Sequence, residues 1–130
     1  MHELVVTTQS KEELIDITPL VRRVVEGQEV ASGACVVFSP HTTAGITINE
    51  HADPAVAEDL QSALSHLVPE DVSWRHLEGN SPAHVKASLI GSSAFVGVEN
   101  GKLALGTWQG IFLCEFDGPR TRKVWIKTLS

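Results

Sequence analysis

The stretch Ala34-Cys35-Val36-Val37-Phe38-Ser39-Pro40-His41-Thr42-Thr43-Ala44-Gly45-Ile46-Thr47-Ile48-Asn49-Glu50 organises the reading of the whole chain. Residues 34–38 are unbroken apolar residues and read as a strand buried on both faces. Pro40 then stops the strand and presents His41, Thr42 and Thr43. Ile46 to Ile48 reads as a second short strand that delivers Asn49 and Glu50 to its end. A buried strand ending in an imidazole and two hydroxyls is a rigid support for polar chemistry. The rest of the chain is therefore read by asking which residues can reach His41.

Directly downstream, Asp53-Pro54 opens a helix, with Asp53 as the cap and Val56, Leu60, Leu64 and Leu67 on one stripe. Val68-Pro69 ends it, and a polar loop follows over 70–80 with Trp74, Arg75, His76, Glu78 and Asn80. Ser81-Pro82 starts another helix with Val85, Leu89 and Ile90 as its apolar side and Gly91 as its stop. Upstream, Glu3–Thr8 and Glu13–Ile17 read as strands. Thr18-Pro19 begins a helix whose apolar face is Leu20, Val21, Val24 and Val25, ended by Gly27.

After residue 94 the pattern is antiparallel sheet. Phe95–Val98 and Lys102–Leu105 flank the Asn100-Gly101 hairpin turn. Thr107–Phe116 is a long strand with Phe112, Cys114 and Phe116 on one face and Ile111, Leu113 and Glu115 on the other. Asp117-Gly118-Pro119 turns the chain into a last strand over Lys123–Leu129. Strands at both ends and helices between them give the α+β class, largely antiparallel with about three helices. Residues 1–130 fit a single domain, long enough to bury a core without a structural metal.

A formal charge of −6 argues against nucleic acid as a partner, since phosphate-backbone binding needs a basic footprint. Arg120, Arg122, Lys123 and Lys127 are a local exception that reads either as a solvated strand face or as an anion-binding rim. No stretch approaches the about 18 apolar residues of a membrane span, and the N-terminus has no signal-peptide pattern, so no membrane partner and a cytoplasmic location are expected. Cys35 and Cys114 lie in apolar runs and read as free buried thiols, fitting a reducing compartment, with a disulfide as the alternative. The chain lacks a nucleotide-binding glycine loop, a nucleophile elbow and a Cys-x-x-Cys pair, so no nucleotide cofactor is expected.

Of the six histidines, His2 and His66 read as solvated and His51 sits in a polar turn. His41, His76 and His84 each occupy an element boundary beside other hydrogen-bonding residues. The helix start near His84 disfavours imidazolium and offers N–H groups to a phosphate or carboxylate, with Asn80 and Ser81 at its entrance. If folding gathers His41, His76 and His84, they form a three-nitrogen site with an open position, as catalytic zinc uses, although their spacing is not a zinc signature. Glu115 projects from an otherwise apolar strand face, so it is either at an edge or paired with a cation, and Arg120 is the expected partner. In the functional alternative Glu115 or Asp117 is a general base or a magnesium ligand, and Arg120 clamps phosphate. Trp108, between Gly106 and Gly110, either packs in the core or stacks on a flat ligand ring.

With these residues in place, the chain resembles the YjbQ family, known as secondary thiamine-phosphate synthase enzymes. The likeness runs through Ser39-Pro40-His41-Thr42-Thr43-Ala44, Asn49-Glu50 with Asp53-Pro54, and His76 with Glu78-Gly79-Asn80. It continues through Ala83–Gly91, Leu105–Ile111 and Glu115-Phe116-Asp117-Gly118-Pro119-Arg120. The resemblance implies a sandwich-like sheet, a homotrimer with pockets near subunit contacts, and a small phosphorylated metabolite as partner. It implies a transferase that joins a hydroxymethylpyrimidine diphosphate to a thiazole phosphate, possibly as a side activity. His41, His84, Glu115 and Asp117 are then the expected catalytic residues. Thr42, Thr43, Asn80, Ser81, Trp108 and Arg120 are the expected substrate contacts. A divalent metal is expected too, zinc at His41, His76 and His84 or magnesium with diphosphate. The alternatives are a metal-dependent hydrolase of a small phosphorylated or cyclic metabolite, and a non-enzymatic metabolite-binding trimer.

Overall fold

The computed structural model of the protein describes residues 1–76 and 78–130. The elements in chain order are β1 (His2–Thr7), β2 (Glu13–Asp16), α1 (Thr18–Gly27), β3 (Ser32–Phe38), β4 (Ala44–Glu50), α2 (Pro54–Leu67), α3 (Ser81–Ile90), β5 (Ser93–Glu99), β6 (Lys102–Leu103), β7 (Gln109–Glu115) and β8 (Thr121–Leu129). The class is α+β. The strands form a five-stranded sheet in the order β1-β8-β3-β5-β6 and a three-stranded sheet in the order β2-β7-β4. Every pairing is antiparallel, so the sheet component is antiparallel rather than mixed. Where described, the 70–80 segment is irregular; position 77 lies outside the described residues.

Alternation along the strands builds the main core between the two sheets. Cys35 and Val37 of β3, Val96 and Val98 of β5, and Val124 and Ile126 of β8 meet Ile46, Ile111 and Leu113 of the smaller sheet. Helix α1 adds Val21 and Val25 to the same cluster. A second cluster lies on the other face of β7, where Phe112, Cys114 and Phe116 pack against Leu64 of α2 and Ala83 and Ala87 of α3. The doubly buried strand is therefore β7, the middle strand of its sheet. On β3, Phe38 is exposed and Val36 only half-buried, because among the described residues the helices pack into the inter-sheet core and on the far face of β7 rather than over the outer face of the larger sheet. The two thiols are free and fall in different clusters, Cys35 in the first and Cys114 in the second. Burial pushes them up to about 11 and about 12 respectively.

Several local expectations shift for identifiable reasons. Asp53 caps α2 as the sequence suggests, accepting the Ala55 N–H at 2.9 Å. Thr18 does not cap α1. Its amide donates to Asp16 Oδ1 at 2.9 Å, and its hydroxyl donates to the same oxygen while accepting the buried Ile111 N–H at 2.8 Å. On α2, only Leu64 of the apolar stripe is buried, and Leu67 is exposed. On α3 the buried side consists of Pro82, Ala83, Lys86 and Ala87 rather than Val85, Leu89 and Ile90. Its small residues let the helix lie close to β4, and the Lys86 ammonium is held by Glu12 at 2.6 Å. Among the described residues no helix is long and apolar enough to cross a membrane.

Candidate functional site at the mouth of helix α3

The site is built around the loop between β3 and β4, which hydrogen bonds hold on three sides. Ser39 Oγ donates to the Ala44 carbonyl at 2.9 Å and accepts the His41 N–H at 3.3 Å, closing the loop on itself. The Ser39 and Ile46 amides donate to the carbonyls of Ser92 and Gly91, which ties the loop to the end of α3. Gly45 is required there: a Cβ would stand 2.6 Å from the Gly91 carbonyl oxygen. The third anchor is Arg122, whose Nη2 donates to the Thr43 hydroxyl at 2.8 Å and to the Thr43 carbonyl at 3.3 Å.

Arg122 also settles the fate of Glu115. Its guanidinium forms a two-pronged ion pair with the Glu115 carboxylate, Nε to Oε2 at 2.8 Å and Nη2 to Oε1. The side chains are 2% and 0% exposed. Thr8 Oγ1 donates to the same carboxylate at 2.9 Å, as does the Asp117 N–H. Burial pushes this carboxyl up, but the Arg122 fork, the Asp117 amide and the Thr8 hydroxyl outweigh it and leave it below its ordinary value. The expected Glu115–Arg120 pair does not form. Residue 122 alternates inward from β8, whereas residue 120 lies in the turn before the strand. Arg120 instead binds Asp117, through Nη2 to Oδ2 at 3.1 Å and Nε to the carbonyl at 2.9 Å. Asp117 Oδ2 also accepts from Asn80 Nδ2 at 2.9 Å, which joins the start of α3 to the β7–β8 turn. The basic cluster is thus split: Arg122 is a buried structural cation, Arg120 is on the rim, and Lys123 and Lys127 are exposed.

Two adjoining cavities open on this framework. The larger, about 470 Å³, is lined by His41, Thr42, Ala44 and His84, together with Ala87, Ser88 and Ser92. The smaller, about 290 Å³, is lined by Thr42, Thr43, His76, His84, Asn80 and Arg120, with Glu78 and Asp117 beside them. Thr42 and His84 line both, so the sequence-derived histidines share one region of the surface. His76 and His84 meet edge to face with ring centroids 5.2 Å apart, and His76 Nε2 lies 3.8 Å from Glu78 Oε2. His41 Nε2 accepts the backbone N–H of Lys123 at 2.9 Å. Burial, then the nearby charge of Arg122 and Arg120, holds the His41 imidazole below its ordinary value, against an opposing pull from Glu115.

The three imidazoles do not fit a single-chain zinc centre. One ring nitrogen of His41 is committed to an amide, and His76 and His84 pack ring against ring. Among the described residues no three His, Cys, Asp or Glu side chains are placed to hold a metal ion. Two further expectations are corrected. Ser81 lines neither cavity. The helix start offers little to an anion, because Pro82 has no N–H and those of Ala83 and His84 both turn back to the Asn80 carbonyl. Trp108 lies beyond the opposite end of the β4–β7 ladder, where its carbonyl accepts the His51 N–H at 3.0 Å. Six residues of strand, about 20 Å at the usual rise, separate that end from Glu115. Within one chain its indole cannot face the His41 cavity.

What the sequence reading missed is the role of Arg122, which it grouped with a solvated strand face or an anion-binding rim. Its signal was present once the last strand is extended one residue upstream of Lys123: position 122 then shares the inward face of Val124 and Ile126, and Glu115 is an acid on the inward face of Ile111 and Leu113.

A sequence profile of the family described as "UPF0047 protein YjbQ-like" matches residues 2–130. Among proteins similar to this chain is a UPF0047 protein of Methanocaldococcus jannaschii, 51% identical, with 96% of this chain and 91% of that protein covered. Another is the UPF0047 protein YugU of Bacillus subtilis, 50% identical, with 100% and 99% covered. Among solved structures, a YjbQ/UPF0047 family protein from Clostridium acetobutylicum superposes with a TM-score of 0.97 at 53% identity, covering 99% of this chain and 100% of that one. A protein of unknown function from Sulfolobus solfataricus gives 0.95 at 36% identity, with 99% and 95% covered.

Proposed function

The chain belongs to the UPF0047 (YjbQ-like) family, and on that premise we propose that it is an enzyme acting on a small phosphorylated metabolite, with thiamine-phosphate synthesis as the transfer it catalyses. The observation that carries this reading is the pair of cavities sharing Thr42 and His84, with imidazoles around one and the Arg120 guanidinium on the rim of the other. Such a site separates a ring-bearing half of a substrate from its phosphate. In the proposed reaction the thiazole nitrogen bonds to the methylene carbon of the pyrimidine as the carbon–oxygen bond to diphosphate breaks. The electron pair leaves with the diphosphate. Arg120 stabilises the charge that gathers on the leaving oxygens. Ala44 and Ala87 provide an apolar wall for the ring, in place of the Trp108 platform. His84, in contact with both cavities, is positioned to hydrogen-bond across the junction.

The test is incubation of purified protein with hydroxymethylpyrimidine diphosphate, thiazole phosphate and magnesium, the metal arriving with the diphosphate. Thiamine phosphate and diphosphate should appear in equal amounts. Arg120→Ala should slow the reaction about 100-fold or more, as loss of a donor to developing charge does elsewhere. Saturable binding of both precursors with no product above a mock preparation would leave a metabolite-binding protein and sink the transferase. The homotrimer implied by the resemblance belongs to the same proposal. It is supported by Val5, Phe38 and Phe95, exposed on the uncovered outer face of the larger sheet. Light scattering should give three chain masses, and a monomer at micromolar concentration would exclude it.

A further inference from the structure

The contact between His41 and Lys123 fixes more than the position of a ring. Strand β8 pairs with β3 only as far as Phe38 and Trp125, because β3 turns away at Pro40. The next β8 amide on that side, Lys123 N–H, would be left without a strand partner. His41 supplies one, Nε2 accepting at 2.9 Å. A backbone amide can donate but never accept, so Nε2 must hold a lone pair, and in a neutral imidazole the proton then resides on Nδ1. The side-chain hydrogen bond of His41 is the one at Nε2, and Nδ1, which is not among the buried polar atoms left without a partner, is open to solvent. The ring carrying it is half-buried and lines the larger cavity beside Thr42, His84 and Ser88.

We infer that His41 serves the site as a fixed neutral Nδ1–H donor toward an anionic oxygen of the ligand, and is neither its general base nor a metal ligand. A base must present a lone pair to the substrate, and the lone pair of His41 faces the Lys123 amide. Ligation through Nδ1 would require moving the proton to Nε2, against the Lys123 N–H, and losing that hydrogen bond. The surroundings agree with a neutral ring: burial and then the Arg122 charge, the two largest causes, hold the imidazole below its ordinary value against the opposing Glu115. The donor role rests on the proposed function and deepens it: Arg120 takes the diphosphate at the smaller cavity, and the phosphoryl oxygen of the second precursor, the thiazole phosphate, is the acceptor left for His41 at the larger one. Its logic is that of a neutral imidazole used as an electrophile.

The experiment uses the whole protein with inorganic phosphate as probe. Long-range proton–nitrogen correlation of the imidazoles near neutral pH should place His41 Nδ1 in the protonated range and Nε2 in the unprotonated range. Titrated phosphate should move the Nδ1 proton saturably. His41→Asn keeps an N–H on the atom bonded to Cγ, whereas His41→Gln places its amide nitrogen one bond farther out. Phosphate affinity should therefore survive in H41N and fall about tenfold or more in H41Q and H41A, the loss of one charge-assisted hydrogen bond. The opposite tautomer, a doubly protonated ring, phosphate that leaves the Nδ1 proton unmoved, or H41Q binding better than H41N would each overturn the inference. The tautomer is read in wild-type protein without ligand, so it does not depend on any variant folding. A correct tautomer with phosphate at Nδ1 but no thiamine phosphate formed would sink the proposed reaction and leave this inference standing.

Discussion

The two ends of the three-stranded sheet carry similar chemistry and opposite energetics. At the Ala44–Glu115 end, a guanidinium and a carboxylate meet inside the protein with 2% and 0% of their side chains exposed. At the Glu50–Gln109 end, His51 Nδ1 meets Asp16 Oδ2 at 2.8 Å with 28% and 36% exposed. Water screens the second pair and can replace either partner. The first pair has no such alternative, so each group depends on the other. This difference explains why the cavities lie where they do. A loop that must present His41, Thr42 and Thr43 needs a rigid base, and the buried pair with its grip on Thr43 provides it.

The sharpest way to break the comparison is to neutralise one carboxylate at each end. Glu115→Gln removes the charge opposite buried Arg122 and should cost about 3–5 kcal/mol in urea denaturation. Asp16→Asn keeps an oxygen for the Thr18 amide and loses only an exposed ion pair, so its cost should stay within about 1 kcal/mol. Equal losses would show that burial is not what separates the two ends. A smaller effect follows from the backbone. Gly45→Ala drives a Cβ against the Gly91 carbonyl, a backbone atom with no room to give, and should cost about 1–3 kcal/mol. In Gly27→Ala the new Cβ meets nothing within 4 Å, and the helix end should gain about 0.4–1 kcal/mol from a stiffer unfolded chain.

The ends also differ in where acid acts on them. His41 is held below its ordinary 6.5, so the unfolded chain binds its proton more readily than the folded one. Its contribution to stability is complete above 6.5 and is lost as pH falls below that value toward the folded-state one. Glu115 and Asp16 are both held below their ordinary values of 4.5 and 3.8, so their contributions persist to lower pH and go as pH falls through the folded-state values. For Asp16, burial pushes the carboxyl up, and Thr18 with His51 brings it back below. Stability measured against pH should therefore begin to decline just below 6.5 in wild type. H41N should remove that first decline and leave the more acidic one.

The sequence makes the helices and the hairpin legible because their signals are local: Asp53-Pro54 needs only the next turn, and Asn100 and Gly101 both adopt the positive φ their turn requires. The alternation of β7 was equally plain, with Phe112, Cys114 and Phe116 on one face and Ile111 and Leu113 on the other. What could not be read was partnership between distant segments. Glu115 was expected to find Arg120 because that residue is near in sequence; sheet geometry gives it Arg122 and Thr8 instead. Trp108 sits immediately before a strand that leads to the site, and that strand carries it to the wrong end. A gathering of His41, His76 and His84 was posed only as a condition, from element boundaries alone; in the fold the three line adjoining cavities. The separation of their roles depends on the Lys123 amide, which no side-chain pattern announces.

The mildest change sharpens the comparison most finely. His51 and His41 are both half-buried, and each has one ring nitrogen in a hydrogen bond, to the Asp16 carboxylate for His51 and to the Lys123 amide for His41. A carboxylate can only accept, so it makes Nδ1 of His51 the protonated nitrogen. An amide donor tolerates only a ring with a free lone pair at that position. His51→Ala should therefore change stability by less than about 1 kcal/mol, the usual value of an exposed pair. It should leave phosphate affinity unchanged, since its ring faces Asp16 across the sheet from the cavities. If His51→Ala weakened phosphate binding as much as His41→Ala, the anion would be seated at the acidic end of the sheet, beside Asp16, Glu50 and Asp53. That seat would set like charges against one another, and the geometry at the β3–β4 loop would have no ligand left to explain.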